Sequence, residues 1–357
     1  MKILIIAFHP RYMTPYCKLY EDFLQSNNID YDILFWDRFS NATLEKKKNE
    51  FTIHRICSLG GSKLKKIIPM WNFRITLNKI IQTNNYDKII VLNTLPAVLL
   101  NDTLLKKYKE KFILDIRDYT YEKYCIYKNK VNELIGNSYI TTISSRGFMR
   151  FLKNSEKIYI NHNISNDEYI LNHKTEDIRY KEILKIGFVG VIRYENENKF
   201  LIDSLKDSRR YKLQYIGREY PGINLKKYIE DNVISNVTFK GKFENKDKPQ
   251  IYQDIDIINA YYGTGTLEVD TALPNKLYDC LIFKKPMIAT KGTYLSTIVE
   301  KYNLGIAISK DDDLKTKLDN FIKNFNAVEF EKTTNMLLKI VANDQKKIVE
   351  KLKEFIK

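Results

Sequence analysis

The sequence predicts two successive α/β domains, each a parallel sheet with helices on both faces. Three observations carry this. The chain has 357 residues, more than a single hydrophobic core usually organises. Short apolar runs alternate with helix-length segments along most of it. A polar stretch of weak periodicity, 161–180, interrupts that alternation, which then restarts. The expected domains are 1–165 and 166–357, the second ending in a Lys-rich helical tail from 311.

The strands expected in the first domain are the runs 3–8, 31–36, 88–92, 111–116, 139–143 and 157–160, with helices at 96–109 and 145–153. In the second they are 185–190, 212–217, 235–239, 255–259, 286–289 and 304–308. Runs of four to six apolar residues joined by helices are the pattern of parallel strands buried on both faces. The opening MKILIIAFHP reads as a first strand rather than a signal peptide, because His9-Pro10 ends the apolar run too early. No run approaches the roughly 20 apolar residues needed to span a bilayer. Cys17, Cys57, Cys125 and Cys280 are scattered without a C-x-x-C, which points to reduced cytosolic thiols and no zinc site.

The net charge is +15, unevenly spread: residues 1–165 hold 26 Lys/Arg against 15 Asp/Glu, residues 166–357 hold 33 against 29. A bias toward Lys, Asn and Ile explains the number of lysines but not the asymmetry. A basic half implies an anionic partner. Residues 61–81, GSKLKKIIPMWNFRITLNKII, mix cations with Trp71 and Phe73. Such a segment either packs as an ordinary amphipathic helix or lies on an anionic membrane surface, with Lys63, Lys65 and Lys66 as the contacts. No nucleic-acid-recognition motif accompanies the charge, so nucleic acid is not expected as a partner.

In parallel sheets, ligands bind beyond the carboxyl ends of the strands. Four strand ends in the second half carry suitable residues: Gly190 and Arg193, Gly217 and Arg218, Lys240 to Phe243, and Tyr262 to Thr266. Glycine permits tight turns there, and arginine grips phosphate oxygens in pairs. Arg193 taken alone reads equally as a solvated loop side chain. The stretch ALPNKLYDCLIFKKPMIAT, 272–290, reads as helix, turn and buried strand. A helix starting near Pro274 would offer the amides of Asn275, Lys276 and Leu277 to an anion, and Asp279 to ribose hydroxyls.

With these residues in place, the chain resembles the GT-B sugar-nucleotide glycosyltransferases of the family-4 type, as found in bacterial surface polysaccharide and capsule synthesis. KIGFVGVIRY resembles that family's first donor-domain strand with its phosphate-binding Arg, NVTFKGKF the turn that holds the base, and LPNKLYDCLIFKKPMIAT the donor helix and following strand. FILDIRDYT and TTISSRGFMRFL resemble more weakly the end of an acceptor-domain sheet. The resemblance implies two Rossmann-like doubly wound domains facing across a cleft, the first binding acceptor and the second donor. It implies a hexosyltransferase-like enzyme, retaining and metal-independent, that takes a UDP-sugar as substrate and needs no cofactor. The acceptor would be a glycan or a polyprenyl-diphosphate-linked glycan, and the location cytoplasmic or peripheral on the inner membrane face.

The chain departs from that family at several points. Thr271 and Asp279 stand where two glutamates are usual, Asn198 precedes Lys199 where a basic residue is usual, and Arg117 replaces a histidine. Arg193 with Lys276, and Lys199 beside them, is expected to stabilise the leaving diphosphate. An inverting reaction would instead need a general base, for which Asp118 and His9 are the candidates. His9 and Arg117 are assigned to the acceptor side. Two alternatives stay open: a non-catalytic GT-B subunit partnering another transferase, and a sugar-nucleotide 2-epimerase of the same architecture.

Overall fold

The computed structural model describes residues 1–40, 43–57, 64–164 and 173–357. The chain divides into two units, residues 1–163 with 343–357, and residues 164–342.

The first unit holds one sheet of strands β1 (Lys2–Ala7), β2 (Asp30–Asp37), β3 (Thr43–Lys47), β4 (Glu50–His54), β5 (Lys88–Leu92), β6 (Phe112–Ile116), β7 (Ile140–Ile143) and β8 (Ile158–Ile160). Its order is β3-β4-β2-β1-β5-β6-β7-β8. Every neighbouring pair is parallel except the edge hairpin of β3 with β4. Its helices are α1 (Lys18–Ser26), α2 (Leu64–Asn84), α3 (Thr94–Leu99), α4 (Asn101–Lys107) and α5 (Cys125–Asn137). The expected helix 96–109 is therefore two helices broken at Leu100, whose amide is shared between the carbonyls of Pro96 and Ala97. The expected helix 145–153 is only a 3₁₀ turn, Arg146–Arg150, opened by the Ser145 hydroxyl accepting from Gly147 N.

The second unit holds strands β9 (Leu184–Val189), β10 (Tyr211–Ile216), β11 (Val237–Lys240), β12 (Ile257–Ala260), β13 (Met287–Thr290) and β14 (Gly305–Ile308). The order is β11-β10-β9-β12-β13-β14, all parallel. Helices α6 (Glu195–Leu205), α7 (Leu225–Asp231), α8 (Lys248–Gln253), α9 (Leu267–Thr271), α10 (Asn275–Phe283), α11 (Tyr294–Lys301) and α12 (Leu314–Lys323) connect them, and α13 (Ala327–Phe355) follows. In both sheets the chain starts mid-sheet, winds outward one way, then crosses back. The reversal lies between β1 and β5 in the first unit and between β9 and β12 in the second. At such a switch point two neighbouring loops diverge and leave a crevice.

The last fifteen residues correct the expected domain limits. The sequence places all of 166–357 in the second domain, yet 343–357 belong to the first unit. The reason is an apolar stripe on α13. Ile348, Leu352 and Phe355 are each 1 % exposed and join the core formed by Ile3, Ile5, Tyr20 and Ile113. Lys88 adds its ammonium to the Phe355 carbonyl. The stripe is too far along the chain for periodicity alone to say which core it fills.

Removing a buried leucine leaves a cavity and costs about 2–5 kcal/mol. Both tryptophans, Trp36 and Trp71, lie in the first unit, so their fluorescence follows its unfolding alone. Leu352→Ala is expected to lower the midpoint of that transition; an unchanged midpoint would detach the C-terminal turns from the first core.

Candidate functional site

The candidate site is built on the loops at the second sheet's switch point. After β9 the chain turns at Gly190 (φ +133°), and after β10 at Gly217 (φ +141°). A Cβ on Gly217 would meet the Gly190 carbonyl oxygen at 1.9 Å, so only glycine fits there. The two loops run on together, with Gly190 N donating to Ile216 O and Ile192 N to Arg218 O, each at 2.9 Å. This rigid pair presents Arg193, which is exposed and lies over the Tyr220 ring at 5.1 Å. Tyr194 follows in a left-handed conformation (φ 62°) at the start of α6. Asn198, 1 % exposed, donates to the carbonyls of Arg193 and Tyr194 at 2.5 and 2.9 Å. It therefore clamps the turn that carries Arg193. This explains its presence where the resemblance led us to expect a cation.

Lys276 faces the same loops from the first turn of α10. It is 5 % exposed, and its Nζ donates to Tyr262 Oη at 2.7 Å. The amine sits 3.5 Å from the centre of the Phe188 ring. Burial pushes its pKa down to about 7, against an upward pull from Asp279. Tyr262 is in turn fixed by its backbone: the amides of Tyr262 and Gly263 both donate to Thr290 Oγ1, at 2.9 and 3.0 Å. Tyr194, Tyr262, Phe188, Tyr215 and Phe239 form a row of ring contacts across the loop end of the sheet. The arrangement offers one exposed guanidinium, one amine that accepts or releases a proton near neutrality, and aromatic faces.

Other expected residues stand differently. Lys199 turns away, pairing with Glu195 at 2.8 Å and lying over Tyr228 of α7 at 4.7 Å. Asn198 occupies the inward position, and the next side chain on a helix points about 100° round from it. Asp279 is 5 % exposed; Lys248 Nζ and Tyr252 Oη donate to its two oxygens at 2.9 and 2.7 Å. Both oxygens of the carboxylate expected at a ribose are thus engaged by α8 in this structure. Pro274 is the cap of α10 rather than its first residue, and Leu277 N donates to Pro274 O at 3.0 Å. Leu277 therefore does not offer its amide to an anion, while Asn275 stands exposed at the helix start. Phe243 is half-buried against the second core. Thr271 is fully buried, its hydroxyl donating to Leu267 O. The acid that the sequence reading missed is Glu268, one turn earlier on α9. It is exposed and helps raise the pKa of Tyr194 beyond what burial does.

In the first unit, His9 and Arg117 follow β1 and β6 on either side of that sheet's switch point, and Asp118 follows Arg117. Arg117 is 8 % exposed, held by Asp115 Oδ2 from Nε and Nη2 at 3.0 and 2.9 Å and by Asn161 O at 3.2 Å. Tyr16 covers it at 4.9 Å. These bonds make it a strut between strand ends. His9 is different: its Nδ1 is buried without a partner, and burial with nearby Arg38 lowers its pKa to about 4. It stays neutral near pH 7. Asp118 is exposed. His173 belongs to the second unit and packs on Phe283 at 5.0 Å, beside the far end of α10. Among the described residues, no three His, Cys, Asp or Glu side chains gather as a metal site.

No protein-family model matches the chain, and no curated protein matches it in sequence. Solved structures do match. Sucrose-phosphate synthase from Thermosynechococcus elongatus aligns over 99 % of both chains with a TM-score of 0.70 and 12 % identity. The lipopolysaccharide outer core galactosyltransferase WaaB aligns over 100 % of this chain and 99 % of its own, with a TM-score of 0.65 and 14 % identity. HepE of Anabaena in complex with UDP-glucose aligns over 99 % and 100 %, with a TM-score of 0.61 and 15 % identity. The fold is GT-B, with two Rossmann-like α/β domains.

A lysine buried with a lowered pKa makes the folded state bind fewer protons than the unfolded state between about pH 7 and the ordinary lysine value of 10.5. Stability from this group therefore rises with pH across that window, and the penalty is largest below pH 7. Lys276→Met is expected to raise the calorimetric melting temperature at pH 6.5, with a gain that shrinks toward pH 10. A pH-independent difference would place the amine in water.

Proposed function

We propose that this chain is a glycosyltransferase that moves a sugar from a UDP-sugar to a glycan or lipid-linked glycan acceptor of a surface polysaccharide. The observation that carries this reading is the placement of exposed Arg193 and buried Lys276 about Tyr262, which Lys276 bonds and whose ring meets Tyr194, next to Arg193, beside glycine turns that let a diphosphate approach the backbone. HepE of Anabaena has been solved with UDP and with UDP-glucose, and WaaB is a galactosyltransferase of the lipopolysaccharide outer core. The first supports the choice of donor and the second the choice of acceptor.

In this proposal the departing diphosphate gathers negative charge as the sugar–oxygen bond breaks. Arg193 meets it with a bidentate grip. Lys276 is partly neutral at rest, and a diphosphate beside it would draw a proton onto the amine and pull it from Tyr262. Preorganised charge of this kind lowers the barrier without reorganisation at the moment of reaction. No metal is assigned a part, because these two cations face the leaving group. The transfer is proposed to be retaining, with exposed Glu268, one turn before buried Thr271, as the acid that would meet sugar hydroxyls. If the product proves inverted, neutral His9 and exposed Asp118 are the bases to test. The proposed place of work is the cytoplasm, at the inner face of the membrane. The buried Thr271 and the clamp role of Asn198 favour one second reading, a non-catalytic subunit that keeps the fold and partners another transferase.

A panel of UDP-sugars with the purified chain decides between these readings. Sugar-dependent UDP release is expected, and Arg193→Ala should cut it about a hundredfold, the effect of losing one oriented contact worth on the order of 3 kcal/mol. A chain that binds neither UDP nor any UDP-sugar would favour the subunit reading. The amine makes a separate prediction. UDP binding at pH 8 should take up protons, seen as a binding heat that varies with the buffer's ionisation enthalpy. Lys276→Met should abolish the uptake and Arg193→Ala should keep it; uptake that survives in Lys276→Met assigns the proton to another group.

A further inference from the structure

Helix α2 is apolar on two faces. One face buries Phe73, Leu77, Ile80 and Ile81, with Phe73 stacked on Trp36. The other holds Leu64, Ile67, Ile68, Trp71 and Ile75, exposed by 76, 57, 72, 55 and 54 %. Their spacing of three or four residues draws one continuous stripe along three turns. Apolar side chains standing singly at a surface are ordinary, but a contiguous stripe marks an interaction site.

The charges on the helix identify the partner. Its 21 residues include Lys65, Lys66, Arg74 and Lys79 and no acid. From 51 to 100 the chain has seven Lys/Arg against one acid, Asp87. Lys65 and Lys79 are exposed; Arg74 lies over the Trp71 ring at 5.1 Å and pairs with Asp102 of α4 at 2.9 Å, so the two lysines are the cations left to meet headgroups. We propose that the outward stripe of α2 is buried in the interfacial layer of an anionic lipid bilayer, with its cations among the headgroups. A second copy of the chain fits less well, because pairing α2 with itself would bring the exposed Lys65 and Lys79 of one copy against those of the other. No helix among the described residues is long and apolar enough to cross a membrane, so the helix lies in the surface. Of the lysines expected to dock, Lys66 is 8 % exposed and faces inward, while Lys63 lies outside the described residues. The apolar stripe, more than those lysines, holds the bilayer.

The test is independent of sugar transfer, so its failure and that of the glycosyltransferase reading are distinguishable. The chain has two tryptophans; Trp36 is 0 % exposed, so a vesicle-induced change in emission reports Trp71. With phosphatidylglycerol-rich vesicles, a blue shift and quenching by lipids brominated near the carbonyl group are expected. Ile67→Ser, Ile68→Ser and Ile75→Ser together, all at exposed positions, should weaken partitioning on the order of a hundredfold, with an unchanged circular dichroism spectrum. Lys65→Gln with Lys79→Gln should weaken it roughly thirtyfold in low salt, a difference that fades as salt rises. Unshifted Trp71 emission at saturating lipid overturns the proposal. So does a triple serine variant that binds vesicles like the parent, or a parent that ignores vesicles and forms a dimer the serines dissolve.

Discussion

Helix α10 has eight of its nine residues buried, and two of them, Lys276 and Asp279, are ionisable. A charge removed from water is costly unless it is paired or neutralised. The second domain meets this constraint in two ways. Asp279 receives Lys248 and Tyr252 of α8, which locks α8 against α10. Lys276 receives only the Tyr262 hydroxyl and ring faces, and its pKa falls to about 7. The far end of the helix is closed by Lys284 in a left-handed turn (φ 56°), its amine donating to Leu281 O at 2.8 Å and Asn335 Oδ1 at 2.7 Å. Cations suit a helix C-terminus, where carbonyls lack partners. One helix thus sets the loop after β12, the place of α8 and the entry into β13.

The unequal treatment of the two charges is what gives the site its character. An aspartate with two donors is structural, since removing either donor would strand a buried charge. A lysine with one weak hydroxyl acceptor is held short of its usual partners. An anion arriving at Arg193 would supply what Lys276 lacks. The same contrast holds in the first domain, where Arg117 is saturated by Asp115 and Asn161 while His9 keeps a buried nitrogen without a partner.

Much of this fold was legible because its strands are buried on both faces and so appear as apolar runs. All six strands of the second sheet fall on such runs. Strand β3 does not, because TLEKK is exposed throughout and exists only through its pairing with β4. Strand β4 alternates, with Phe51 and Ile53 inward, but five residues of alternation are a weak signal. In the site, Gly190, Gly217 and Arg193 were legible because a glycine at a strand end is a local, backbone-level requirement. Asp279 and Lys199 were not, since their roles depend on which helix face meets which neighbour. For Lys199 the deciding fact is one residue away: Asn198 fills the inward position. Tyr194 and Glu268 had no signal of their own, and only the left-handed turn and the short helix α9 bring them near Arg193.

Net charge follows the same division between what composition fixes and what folding decides. The second domain is rich in lysines, yet many face acids: Lys181 pairs with Asp256, Lys240 with Asp254, Lys248 with Asp279 and Lys285 with Glu176. Their fields are largely cancelled within a few ångströms, and salt screens the rest. In the stretch 51–100 of the first domain the lone acid is Asp87, and Arg74 draws its counter-charge from Asp102 of α4. The excess of the first half is carried by 51–100, at +6, and 101–165, at +5, while residues 1–50 are balanced. An excess of this kind acts at long range on charged partners. At Arg193 and Lys276 the relevant charge is two side chains held at fixed places, and it acts only at contact range.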